Sequence, residues 1–144
     1  MNAPPLRLTL VTLGVADVKR AARFYAALGM KRGMKKAEGV AFFEAGGAVL
    51  AVCGRNNLAK DAGVADTAPG FSGVALAFNV EDEPSVEKVL QAAAAAGGKI
   101  VKPASRAFWG GYTGYFADTD GHLWEVAHNP GFPFDERGLV RLPA

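Results

Sequence analysis

Apolar and polar residues along this chain alternate with period two, shift to a period near 3.6, and return to two. That cycle occurs twice. Residues 6–15, rich in Leu, Val and Thr, read as a strand. Asp17 is a good N-cap for a helix over 18–28, with Val18, Ala21, Ala22, Tyr25 and Leu28 on one face and Gly29 to end it. Residues 30–36 read as a short extended piece. Strands at 40–44 and 49–53 flank Gly46 and Gly47, a hairpin signal. Residues 55–72 show no usable period and read as a linker, long enough to serve as a lid or a connection.

The order then begins again. A strand is expected over 73–80. Pro84 suits the first turn of a helix that runs to Ala96, burying Val86, Val89, Leu90, Ala93 and Ala96 and stopped by Gly97 and Gly98. A strand follows over 99–104, a loop over 105–111, and then a hairpin. In the hairpin, Tyr115 and Phe116 precede turn chemistry at Asp118, Thr119, Asp120 and Gly121, and 123–127 alternates. Residues 130–144 form a tail packed across the surface.

The halves superpose as sequence. Val11 to Val15 matches Leu76 to Val80, Phe42-Phe43 matches Tyr115-Phe116, and Leu50-Ala51-Val52 matches Trp124-Glu125-Val126. The expected class is therefore α+β: two tandem β-α-β-β-β modules whose curled mixed sheets form a cleft with helices outside. Module one spans about 6–54, the linker 55–72, module two about 73–129 and the tail 130–144, all within a single domain.

Composition narrows the partners. Half of the 144 residues are hydrophobic and the net charge is +2, so a packed core is expected and disorder is not. Lys31, Arg32, Lys35 and Lys36 cluster, but a solvated face explains them and no broad basic stripe supports nucleic-acid binding. Cys53 is the only cysteine, which fits a reducing, cytoplasmic setting. Residues 1–7 lack the pattern of a signal peptide, and no apolar run approaches a membrane span.

Two stretches carry a resemblance. Leu13-Gly14-Val15-Ala16-Asp17 with Phe24, Tyr25, Leu28 and Gly29 is one, and Asp118-Thr119-Asp120-Gly121-His122-Leu123-Trp124-Glu125 is the other. Placed in a duplicated layout, they make the chain resemble the vicinal oxygen chelate superfamily: glyoxalase I, bleomycin- and fosfomycin-resistance proteins and extradiol dioxygenases. The resemblance covers roughly residues 8–129. It implies a homodimer, and metal ligands on the inner strand faces at Leu10, Ala51, Ala75 and Glu125, where a glyoxalase-like pattern has His, Glu, His and Glu. Only Glu125 retains a donor atom. A divalent ion needs about three or four N, O or S ligands. No metal and no other cofactor is expected.

Alternation assigns the inner face. Leu10, Thr12, Phe42, Ala51, Cys53, Ala75, Trp109, Tyr112 and Tyr115 are the candidate ligand contacts around Glu125, giving a mostly apolar, aromatic site. Phe43, Phe78, Phe116 and Trp124 fall on the other face and are expected to fill core. His122 lies in the turn and His128 on the opposite strand face, so neither is expected at the site. Glu125 itself has three readings: a general base or acid acting alpha to a carbonyl, a group recognising a ligand donor, or a structural acceptor for Tyr115, Thr12 or Arg106. The expected function is metal-independent binding of a small, partly aromatic organic molecule. The alternative is a glyoxalase-like lyase or isomerase using Glu125, with or without an atypical metal site.

Overall fold

The structure is a computed structural model that describes residues 5, 6, 8–67, 70–72 and 74–143. Two compact units divide the chain, one ending at Thr67 and the other beginning at Ala68. Gly73, expected to open a strand, and most of the first seven residues lie outside the described residues.

In the first unit, β1 (Leu10–Val15) leads into α1 (Val18–Ala27), followed by β2 (Lys31–Gly33), β3 (Val40–Glu44), β4 (Val49–Gly54) and α2 (Arg55–Ala62). The sheet order is β1-β4-β3-β2, with β1 parallel to β4 and the other pairs antiparallel. A parallel pair needs a crossover, and α1 provides it. Asp17 caps α1 by accepting the Arg20 amide at 3.1 Å, and Gly29 ends the helix with φ at 92°. Gly46 and Gly47 both take positive φ, so β3 and β4 join through the expected two-residue turn. Lys31, Lys35 and Lys36 are exposed, in keeping with a solvated face.

α1 packs on β3 and β4. Ala21, Ala22, Phe24 and Tyr25 meet the face formed by Leu13, Val15, Ala41, Phe43, Leu50 and Val52, all of them buried. The Phe24 ring meets Tyr25 edge-on at 5.1 Å, and Tyr25 meets Phe43 at 6.2 Å. The other face of the sheet carries Leu10, Thr12, Phe42, Ala51 and Cys53.

The second unit repeats the plan. It contains β5 (Leu76–Asn79), α3 (Glu83–Ala95), β6 (Lys99–Arg106), β7 (Tyr112–Ala117) and β8 (Leu123–His128), in sheet order β5-β8-β7-β6. Asp82 caps α3 through the Ser85 amide at 2.9 Å, and Pro84 sits in the first turn. α3 lies across β6, β7 and β8 and buries Val86, Leu90 and Ala93 against Phe116 and Val126. The fold is thus α+β, with two four-stranded mixed sheets built from β-α-β-β-β modules.

Two expectations change. The stretch after β4 is not all linker, because Arg55–Ala62 is helical. Its signal was weak: Gly54 at the N-cap makes no side-chain cap, Leu58 is the only large apolar residue, and only Gly63, left-handed at φ 73°, marks an end. Phe78 does not fill core and is 48% exposed. It sits on β5, an edge strand outside the strip that α3 covers, so its correct face has no helix above it.

Three aspartates tie local structure to pH. Backbone amides hold the Asp17 and Asp135 carboxyls below their usual range, and Ser85 does the same for Asp82. A group depressed in the folded state adds stability above its unfolded pKa and loses it as pH falls through the folded value. Urea midpoints are therefore expected to drop below the ordinary aspartate range. In Asp17→Asn, whose amide oxygen still caps the helix, that acid drop is expected to be smaller.

Candidate functional site

The second sheet's helix-free face holds the one charged side chain among the inner-face candidates. Register sets Ala77 opposite Glu125 and Glu125 opposite Tyr115. These three form a row across β5, β8 and β7. The first unit has the same row, Thr12–Ala51–Phe42, across β1, β4 and β3. Glu125 thus occupies the position of Ala51 in the repeat.

The carboxylate is half-buried and tethered. Thr113 Oγ1 donates to Glu125 Oε2 at 2.9 Å. Thr113 is itself buried, on the same face as Tyr115 and two residues from it. Burial first, then the neighbouring Glu125 carboxylate, push the Tyr115 phenol up. Tyr115 therefore stays a neutral donor through neutral pH. The Thr113 hydroxyl leaves further lone pairs on Glu125, since a carboxylate accepts at about four sites. The hydroxyl that Glu125 accepts is that of Thr113, which is not among the expected partners Tyr115, Thr12 and Arg106. Arg106 does not reach Glu125; it grips Glu83 of α3 through both terminal nitrogens at 2.9 and 3.0 Å.

The remaining candidates divide. Leu10, Thr12, Phe42, Ala51 and Cys53 share the helix-free face of the first sheet, with Ala51 buried, Leu10 39% exposed and the others half-buried. Burial raises the Cys53 thiol, and the Asp61 charge adds to it, so Cys53 is no thiolate at neutral pH. Ala75 precedes β5 and is exposed. Trp109 lies at the tip of the β6–β7 hairpin, where Ala107 N bonds Gly111 O at 2.8 Å. Its ring folds onto Gly111, where a Cβ would collide with it.

Tyr112 stands apart from this group. It pairs with His128, so it shares the face of Gly114 and Phe116, and its hydroxyl donates to Glu87 of α3 at 2.5 Å. That bond, more than burial, raises its phenol pKa. Alternation read from Tyr115 would have separated Tyr112 from it: the two are three residues apart. His128 shares the Tyr112 face, with Nδ1 3.2 Å from the Val80 carbonyl. His122 sits in the β7–β8 turn against Asp118, whose carboxylate also accepts the Asp120 and His122 amides at 2.9 Å.

The donor set does not suit a metal of the type the fold accommodates elsewhere. Leu10, Ala51 and Ala75 carry no lone pairs on their side chains, and Glu125 already accepts the Thr113 hydroxyl. Among the described residues no cluster of three or more His, Cys, Asp or Glu side chains could hold an ion.

A duplicated β-α-β-β-β fold defines the class. Residues 7–126 match the family model for the Glyoxalase/Bleomycin resistance protein/Dioxygenase superfamily, and the chain belongs to that superfamily. No curated protein matches the chain. Among solved structures, a glyoxalase-related enzyme from Fulvimarina pelagi is 38% identical, with 96% of this chain and 99% of that one covered at a TM-score of 0.86. A lactoylglutathione lyase from Agrobacterium tumefaciens shares the fold at 21% identity, covering 92% of this chain and all of its own, TM-score 0.68. A family enzyme from Burkholderia phytofirmans PsJN shares it at 16% identity, covering 85% and 98%, TM-score 0.78.

Proposed function

We propose that this chain binds a small, partly aromatic organic molecule without a metal, and that Glu125 recognises a hydrogen-bond donor on it. The observation that carries the reading is chemical. Of the four positions where the superfamily places metal ligands, only Glu125 has a donor atom, and its Oε2 already accepts from Thr113 at 2.9 Å. A carboxylate so anchored is oriented for a ligand N–H or O–H. Phe42, Tyr115 and the exposed Trp109 supply aromatic contact on their own modules. Assembly as a homodimer in the cytoplasm belongs to the same proposal. The dimer is supported by two of the edge strands, β1 and β5, each with an exposed apolar residue, Leu10 at 39% and Phe78 at 48%.

A thermal-shift screen of small aromatic compounds, in pairs with and without an N–H or O–H donor, tests it. A hit held at 100 times its Kd is expected to stabilise the protein by about 2.7 kcal/mol. Glu125→Gln, which keeps the shape and loses the charge, is expected to weaken donor-bearing hits roughly tenfold and leave their donor-free partners unchanged. Equal affinity in the variant defeats the reading. Stoichiometric transition metal in protein purified without chelator favours the lyase or isomerase alternative instead.

A further inference from the structure

The unexpected helix α2 creates a concavity wholly inside the first unit. Arg55 opens the helix directly over Gly14 of β1, where a Cβ would come within 3.0 Å of Arg55 Cα. Past Gly63 the chain doubles back, and the Val64 amide bonds the Ala59 carbonyl at 3.0 Å. The returning segment ends on Arg55. Its Nε donates to Asp66 Oδ1 at 2.6 Å and its Nη2 to the Thr67 carbonyl at 3.2 Å. Between helix and return lies a cavity of about 230 Å³, walled by Leu58, Ala59, Ala62 and Val64 with Arg55 and Asp66 at its charged end. That is room for roughly seven waters, or an organic molecule of similar bulk.

We propose that this cavity is a binding site for a small apolar carboxylic acid, with Arg55 taking the carboxylate and Asp66 holding that place until the acid arrives. The walls offer hydrocarbon, and the charged end offers a guanidinium. A guanidinium presents parallel N–H donors that match the two oxygens of one carboxylate. In the chain as it stands, those donors are met by two separate groups: one oxygen of Asp66 and the neutral carbonyl of Thr67. A ligand carboxylate replaces both with a single bidentate partner. The exchange is easy, because the Arg55 and Asp66 side chains are 53% and 36% exposed and pairs of that kind are weakly held. α2 contributes no buried residue, so helix and return can part without opening the core. Asp66 thus acts as a built-in competitor for the carboxylate's place on Arg55.

The site shares no residue with the Glu125 face, so either reading can fail alone. Hexanoate and benzoate, each beside its amide, are titrated into the full chain by calorimetry. The acids are expected to bind roughly tenfold more tightly than hexanamide and benzamide. Asp66→Asn removes the competitor and is expected to tighten the acids by up to about fivefold while leaving the amides alone. Arg55→Met is expected to erase the preference for the acids, and Glu125→Gln to change nothing. Binding of neither acid, equal binding of acid and amide, or an Asp66→Asn variant that binds the acids no better overturns the proposal. So does loss of acid binding in Glu125→Gln, which would place the acid on the other face. Should Arg55→Met fail to fold, the Asp66→Asn result decides alone.

Discussion

Phe43→Ala is expected to cost about 3–5 kcal/mol, a large part of the stability of a chain this size. Phe43 is 1% exposed at the centre of β3, opposite Leu50 on one side and Arg32 on the other. Its ring meets Tyr25, which meets Phe24, so three aromatic residues join helix and sheet. Alanine removes the transfer energy of the ring and leaves a cavity. The walls cannot collapse into it, because Leu50 and Val52 are fixed in the sheet and Tyr25 in the helix. Urea unfolding at pH 7 reads the effect as a lower midpoint at constant slope. Phe108→Ala is the control: Phe108 is fully exposed at the tip of the β6–β7 hairpin, and its loss is expected to leave the midpoint unchanged. A Phe43→Ala cost below about 1 kcal/mol would show that the aromatic cluster does not hold α1 to its sheet.

Gly114→Val is expected to destabilise the second unit by about 3 kcal/mol. Gly114 lies within β7 on the helix-covered face. A Cβ there would meet Leu90 Cδ1 at 2.6 Å, the Lys102 carbonyl at 2.9 Å and the Ala104 amide at 3.1 Å. Leu90 can turn aside. The other two atoms are backbone of β6, whose register shifts between Ile100 and Lys102 and again between Lys102 and Ser105. That irregular strand presses onto β7 just where the side chain is missing. Valine must therefore push β6 away or tilt α3. Leu90→Ala in the Gly114→Val background distinguishes the two: partial recovery beyond the sum of the single effects would assign the clash to the helix. No recovery would assign it to the β6 backbone.

The expected elements that matched did so where one local signal agreed with burial. Asp17 before an amphipathic run, Gly46 with Gly47 between two apolar runs, and Asp118 to Gly121 before an alternating strand each specify backbone geometry within a few residues. Where local signals were thin, tertiary contact decided. α2 forms on a sequence with one leucine because Gly14, far earlier in the chain, offers a flat seat, and because Asp66 and Thr67 return to hold Arg55. Phe78 has the right alternation for the covered face and is still exposed, since parity gives the side of a sheet but not the width of the helix lying on it.

The candidate site divides in the same way. Which residue carries the charge, and which positions lack donor atoms, is a matter of composition at known strand parity, so Glu125 between apolar neighbours could be read directly. Its partners could be read only in part. The Tyr115 pairing follows from the hairpin register, whereas the Thr113 bond is diagonal and depends on the twist that brings a residue two places along within 2.9 Å. Periodicity and turn chemistry, being local, determined two β-α-β-β-β modules and the one acid among the candidate site residues. Seating a helix on a glycine, pairing Arg106 with Glu83 and turning Tyr112 toward Glu87 required distant segments to meet, and only the folded chain could decide them.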